Sequence, residues 1–138
     1  MRYFLDTNVL FDLFGTSRPF HEESLHIVAD AIAGRTQLVI SAVSVMTLLY
    51  SLRKYGHPET EVVERLNLLL PNLEIAPTSL TELLAGINSG WTDLEDAVQF
   101  RSAIAAGRID AIVSNDKDFK QQKLVPVITP KQAVKRLK

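Results

Sequence analysis

Four aspartates occupy positions from which a folded chain can bring carboxylates together. Asp6 directly follows the apolar run RYFL, and Asp116 and Asp118, in SNDKDF, follow IDAIVS in the same way. Asp96 falls in the first turn of a segment of helical period, DLEDAVQFRSAIAA. In an open parallel sheet, chemistry gathers beyond the carboxyl ends of the strands, so two strand ends and one helix start can converge on a single spot. Carboxylates held together repel one another unless a cation neutralises them. An all-oxygen donor set suits a hard divalent ion such as Mg²⁺ or Mn²⁺. Taken one at a time, the same residues have ordinary explanations: Asp6 as a helix cap, Asp96 as a charge on a helix dipole, and Asp116 and Asp118 as turn formers.

The elements that must position them alternate short β-rich runs with longer stretches of helical period, the pattern of a parallel sheet covered by helices. Strands are expected at 2–5, 37–41, 73–76, 109–114 and 125–129. Helices are expected at 9–14, at 20–33 with Leu25, Val28, Ala29 and Ile32 facing the core, at 43–54, and from Pro58 to Pro71 with Val62, Val63, Leu66, Leu69 and Leu70 on one side. Another runs from a cap at Thr78 or Thr81 through Ile87, the next from a Thr92/Glu95 capping box to Gly107, and the last starts at Pro130. Asp110, at the start of the fourth strand, falls on the order of 20 Å from Asp116 at the opposite edge. Asp12 reads as a solvent-side helix residue. With no repeat, linker or low-complexity stretch, a single domain over 1–138 is expected.

Composition narrows the function classes. A chain of 138 residues is long enough to bury roughly 68% of the surface its unfolded form exposes, so it needs no disulfide or structural metal to fold. The absence of cysteine removes a thiolate nucleophile, a disulfide framework and thiolate zinc sites together. A net charge of −1 gives no general attraction to a polyanion, so nucleic-acid contact would depend on local basic groups or metal ions. Asp6 and Asp12 interrupt the first apolar stretch, against a secretory signal. The uncharged run LVISAVSVMTLLYSL falls short of the ~20 residues a membrane helix needs. A cytoplasmic protein with no membrane partner is expected.

FLDTNVL, DLEDAVQFRSA, IDAIVSNDKDF and VPVITPKQAV, in this order and spanning essentially the whole chain, resemble the PIN domain, the nuclease fold of VapC-type toxins. The resemblance implies an α/β fold: a three-layer α/β/α sandwich around a parallel sheet of four to five strands, in the order 3-2-1-4-5. It also implies a Mg²⁺- or Mn²⁺-dependent endoribonuclease, the toxin of a toxin–antitoxin pair, hydrolysing RNA phosphodiesters with a metal-activated water. On that basis Asp6, Asp96 and Asp116 match the family's first, third and fourth acidic positions, as catalytic residues and metal ligands. Asn8 and Ser114 match polar positions that support them, and Asp118 is a supporting residue or cap.

One position departs from the family pattern. Where the family carries a glutamate early in the helix after the second strand, this chain has Thr47, which can hold a metal-bound water but brings no charge. Asp93 or Glu95 is the candidate compensation, and a single ion is expected. Two functions follow: an active ribonuclease, or a catalytically weakened PIN domain that binds RNA or a protein. Phosphotransfer fits less well, because haloacid-dehalogenase phosphatases need a second aspartate where Asn8 stands. Arg53, Lys54 and Arg101 are the expected contacts to RNA phosphates, and His21, His26 and His57 take no catalytic part. Trp91 reads as a packing residue. The helices at 43–52 and 62–70 carry more large apolar side chains than one sheet face needs, consistent with an antitoxin or a homodimer partner as well as with core packing.

Overall fold

Tyr3, Phe4 and Leu5 are all fully buried, Tyr3 and Leu5 in one apolar cluster and Phe4 in another. A strand that is apolar on both faces must be central and covered on both sides. The computed structural model, which describes residues 1–137, places this strand, β1 (Arg2–Leu5), in the middle of a sheet with β2 (Gln37–Ser41), β3 (Glu74–Ala76), β4 (Ala111–Val113) and β5 (Val127–Ile128). All neighbours pair in parallel, in the order β3-β2-β1-β4-β5. The expected sheet order is therefore the observed one, with β4 and β5 shorter than their apolar runs.

Seven α-helices and two short 3-10 helices (Leu70–Asn72 and Asp118–Gln121) complete the described chain, the α-helices being α1 (Thr7–Asp12), α2 (His21–Ile32), α3 (Ala42–Lys54), α4 (Glu59–Leu69), α5 (Leu80–Ile87), α6 (Leu94–Ala105) and α7 (Pro130–Arg136). Residues of α1 to α4 and α7 share the cluster containing Tyr3, Leu5, Leu38 and Ile40. Phe100 and Ala103 of α6 pack on Phe4, Val39 and Ile112 across the other face. The result is three layers, α/β/α.

Several local readings change, each for a physical reason. The buried residues of α2 are Ser24, Ile27, Val28, Asp30 and Ala31, whereas Leu25, Ala29 and Ile32 are exposed. Helix α7 packs on α2, and Ala133 of α7 shares a core cluster with Ile27, Val28 and Ala31. Val63 of α4 is likewise exposed. The helix through Ile87 is capped not by Thr78 or Thr81 but by Ser79, whose hydroxyl and backbone N–H both bond Glu82. Thr78 instead bonds Ser102 of α6 at 2.8 Å. At the start of α6 the cap is Asp93, not Thr92: its carboxylate accepts the Asp96 N–H at 3.1 Å. Asp12 is not on the solvent side. It is 1% exposed, and its charge is compensated by Arg18 at 2.8 Å.

The second layer depends on a close approach. Gly90, with φ +79°, makes the turn from α5 into α6, and the two helices then pack with Gly86 against Val98. A Cβ at Gly86 would lie 2.6 Å from Val98 Cγ2 and 2.7 Å from Val98 Cα. Alanine in a helix interior ordinarily gains about 1 kcal/mol over glycine, but overpacking costs roughly 1–3 kcal/mol, and here the obstacle is backbone. Gly86→Ala is expected to lower stability by roughly 2 kcal/mol in chemical denaturation; a gain in stability would show that α5 and α6 can separate freely.

Candidate metal centre

Two strand ends and a helix start meet at the carboxyl edge of the sheet. Asp6 leaves β1 and caps α1, Ser114 leaves β4, and α6 begins at Asp93. One carboxylate oxygen from each of Asp93, Asp96, Asp116 and Asp118 lies within 4.8 Å of all the others. Asp93 enters this group because it is the cap, which draws its side chain back over the first turn towards the Asp96 N–H.

Asp6, expected as a ligand, lies outside this group of four, though its charge acts on Asp96 and that of Asp116 acts on it, and it is held at both oxygens. Its Oδ1 accepts the Thr7 N–H at 2.7 Å, and its Oδ2 accepts the Ser114 hydroxyl at 2.6 Å. The same Ser114 oxygen accepts the Asp116 N–H at 2.8 Å, and Asp116 Oδ1 accepts the Asp118 N–H at 2.9 Å. Ser114 therefore ties Asp6 to the loop that carries Asp116 and Asp118. Asn8 makes no bond to these acids among the described residues, and its Oδ1 is buried without a partner.

The acids are crowded, and two of them are dry. Asp6 is 3% and Asp96 6% exposed. Burial, helped by the charges of Asp116 and Glu95 and opposed by the Ser114 and Thr7 bonds, pushes Asp6 up to about 6. Burial also dominates at Asp96, followed by the charge of Asp6 and a hydrogen bond with Asp116, and pushes it up to about 9. Asp118 is raised by the charge of Asp116, with burial second. Asp96 Oδ2 is buried with no hydrogen-bond donor. A buried carboxylate oxygen without a donor needs either a proton or a cation. This all-oxygen, multiply anionic set fits Mg²⁺ or Mn²⁺.

Behind the acids lies a polar network that the sequence reading missed. The Thr7 and Ser44 hydroxyls are 2.8 Å apart, Ser44 donates to Gln99 Oε1 at 3.0 Å, and Gln99 Nε2 donates to Thr7 Oγ1 at 3.1 Å. With Thr7 as donor to Ser44, each member gives one hydrogen and accepts one, locking α1, α3 and α6 together. Its sequence signal is Gln99, a polar residue in the otherwise apolar run Ala97, Val98 and Phe100.

Other expected participants sit farther out. Thr47 donates to Glu95 Oε1 at 3.0 Å, holding Glu95 at the mouth between α3 and α6, where its charge reaches Asp6. Arg53 and Lys54 occupy the last turn of α3, roughly 18 Å from the end that starts at the site edge. Arg101 lies about 140° around α6 from Asp96, with its guanidinium over the Phe100 ring. Trp91 stacks on Phe100 and meets Phe119 edge-on, packing as expected.

The PIN domain family profile matches residues 3–124. Ribonuclease VapC1 from Aquifex aeolicus (strain VF5) is 30% identical over 122 residues, covering 86% of this chain and 83% of that protein. This chain belongs to the PIN domain family. The PIN fold is also shared by VapBC2 from Rickettsia felis, solved bound to a DNA fragment from its promoter, at a TM-score of 0.67 and 19% identity over 94% of this chain and 98% of that one. A toxin–antitoxin complex from Klebsiella pneumoniae has a TM-score of 0.65 at 23% identity, covering 93% of this chain and 97% of its counterpart.

The raised carboxylates have a measurable consequence. Between the unfolded value near 4 and the folded values of about 6 for Asp6 and about 9 for Asp96, the folded state binds more protons than the unfolded one, so stability falls as pH rises. For Asp6 alone this amounts to roughly 3 kcal/mol, or on the order of 10 °C in Tm. Protein kept free of divalent ions with a chelator should melt at progressively lower temperature from pH 4 to pH 9, and added Mn²⁺ should reverse the loss at the alkaline end. A flat profile would mean that these carboxylates titrate normally.

Proposed function

We propose that this PIN domain is a divalent-metal-dependent endoribonuclease, acting on RNA in the cytoplasm as the toxin of a toxin–antitoxin pair. The observation that carries the reading is the convergence of Asp93, Asp96, Asp116 and Asp118 beside Asp6 at one sheet edge. Likeness to a ribonuclease over most of both chains supports the choice of substrate.

Asp96 and Asp116, with Asp6 behind them, are the residues proposed to hold the ion, and Asp93 and Asp118 adjust its charge environment. When bound, such an ion supplies Lewis acidity, neutralising phosphate charge and lowering the pKa of water from 15.7 towards ~7. The chain's own part is positional. Ser114 and Thr7 fix Asp6 so that it cannot swing to solvent, and the buried, unpartnered Oδ2 of Asp96 would be the oxygen offered to the ion. Asp93, Asp116 and Asp118 are only partly buried, which leaves a side from which a phosphodiester could approach.

A partner protein fits the surface. Met46 and Tyr50 of α3, Val63 and Leu68 of α4, and Leu80 and Ile87 of α5 are large apolar side chains left exposed. The similarity to a toxin–antitoxin complex favours an antitoxin over a second copy of the chain as the proposed occupant. Among the described residues no helix is long and apolar enough to cross a membrane.

A second reading, a weakened domain that binds RNA or a partner without cutting, is favoured by Thr47 alone, since its hydroxyl serves Glu95 and contributes no charge.

Purified protein with Mn²⁺ is expected to cleave single-stranded RNA. Asp6→Asn and Asp116→Asn should each lower the rate by more than roughly 100-fold, beyond the 10–100-fold typical of losing a ligand's outer support. Unchanged cleavage in both variants would refute the assignment. Restoring an anion with Thr47→Glu should raise Mn²⁺ affinity or activity; if calorimetry and RNA cleavage both stay at the parental level, position 47 lies off the metal.

A further inference from the structure

Helix α1 is gripped at both ends by consecutive residues of the loop after β4. At its start Ser114 donates to Asp6 Oδ2 at 2.6 Å, and at its finish Asn115 Nδ2 donates to Asp12 Oδ2 at 3.3 Å across 103 residues of sequence. The other Asp12 oxygen accepts Arg18 Nε at 2.8 Å, and the Asp12 carbonyl lies 2.7 Å from His21 Nδ1. A buried carboxylate needs a compensating charge, and Arg18 already supplies it. The second oxygen is thus available for Asn115, the residue between the serine that fixes Asp6 and the aspartate of the acid cluster.

The loop needs such a hold. Between Ser114, whose N–H bonds the Ile128 carbonyl, and Phe119, which is fully buried, the Asp116 and Asp118 amides bond only to acceptors within the loop itself. Among the described residues, besides the contact of Asp116 with Asp96 at the acid cluster, the Asn115–Asp12 bond is the side-chain tie from residues 115–118 to the body of the fold. Asp12 takes no part in the proposed chemistry, lying at the far end of α1 from Asp6.

We propose that Asp12 is a positioning residue: through Asn115 it holds the loop 114–118 so that Asp116 and Asp118 stay within reach of Asp93 and Asp96. This deepens the metal-centre reading and rests on it for its consequence, though the tie itself can be measured without any ion. The loop's order is read from ¹⁵N relaxation of the metal-free protein, and its consequence from Mn²⁺ calorimetry.

In Asn115→Leu, which keeps the bulk but cannot donate, the Asp116 and Asp118 order parameters should fall from ~0.85 to below ~0.6, with Ile112 and Val113 unchanged. The Mn²⁺ Kd should rise about tenfold, within the 10–100-fold effect of losing outer support. Asp12→Asn is the rescue control, because the new amide can donate to Asn115 Oδ1 while its oxygen still accepts from Arg18; order and affinity should stay near the parental values. Should Asn115→Leu fold poorly, Asn115→Ala tests the same bond. Unchanged order parameters in the loop would overturn the proposal and leave Asp12 as a partner for Arg18 only. A looser loop with unaltered Mn²⁺ affinity would equally overturn the positioning role. If the parental protein binds no Mn²⁺ and the loop still loosens in the variant, the tie stands and the metal-centre reading falls.

Discussion

Like charge confined at one edge of the sheet, with two of the carboxylates buried, is the constraint on which the rest of this molecule depends. Four carboxylates share a space in which one oxygen of each is within 4.8 Å of the rest, and a fifth, Asp6, is buried against them. Water screens Asp6 and Asp96 poorly because both are buried, so their ionised forms are disfavoured and the folded state retains protons there that the unfolded chain would release. A protein selected for stability alone has no reason to build this arrangement. A divalent cation turns the same repulsion into coordination, which is the physical basis for reading the hollow as a metal centre.

The fold serves that hollow at some distance from it. Parallel pairing brings the ends of β1 and β4 side by side, so Asp6 and Ser114 are neighbours by register and their hydrogen bond needs no further arrangement. The helix α6 is drawn in by the close packing of Gly86 on Val98 and by the Thr7–Ser44–Gln99 ring, which joins three helices through groups that are all buried. Closed polar rings of this kind are stabilising only when every member is satisfied, as these are. They fix the helix start that carries Asp93 and Asp96 relative to the strand ends that carry Asp6 and Asp116.

Much of the architecture was legible in the sequence because it follows from period and position. Short runs such as RYFL and QLVIS, each with three consecutive apolar or aromatic residues and alternating with longer helical segments, read as strands covered on both faces, and an aspartate just past such a run falls at the carboxyl edge. What was not legible depended on choices between equally good local solutions. Thr92 with Glu95 satisfies the capping rule as well as Asp93 with Asp96, and a shift of one residue decides whether Asp93 joins the acids. In α2 the set Leu25, Val28 and Ile32 has the same spacing as Ser24, Ile27 and Ala31, and only tertiary packing against α1, α7 and the sheet selects the second set. The burial of Asp12 required Arg18, six residues on, and Asn115, far away in the chain, neither of which a local pattern reveals.

The central claim is that these acids face one another because a cation joins them, and anomalous diffraction tests it most directly. Crystals grown or soaked in millimolar Mn²⁺ should show a peak at the carboxyl edge of the sheet, with Asp96 and Asp116 oxygens within about 2.5 Å of it and Asp6 adjacent. A map without density at that edge, or with its strongest peak elsewhere on the surface, would contradict the account.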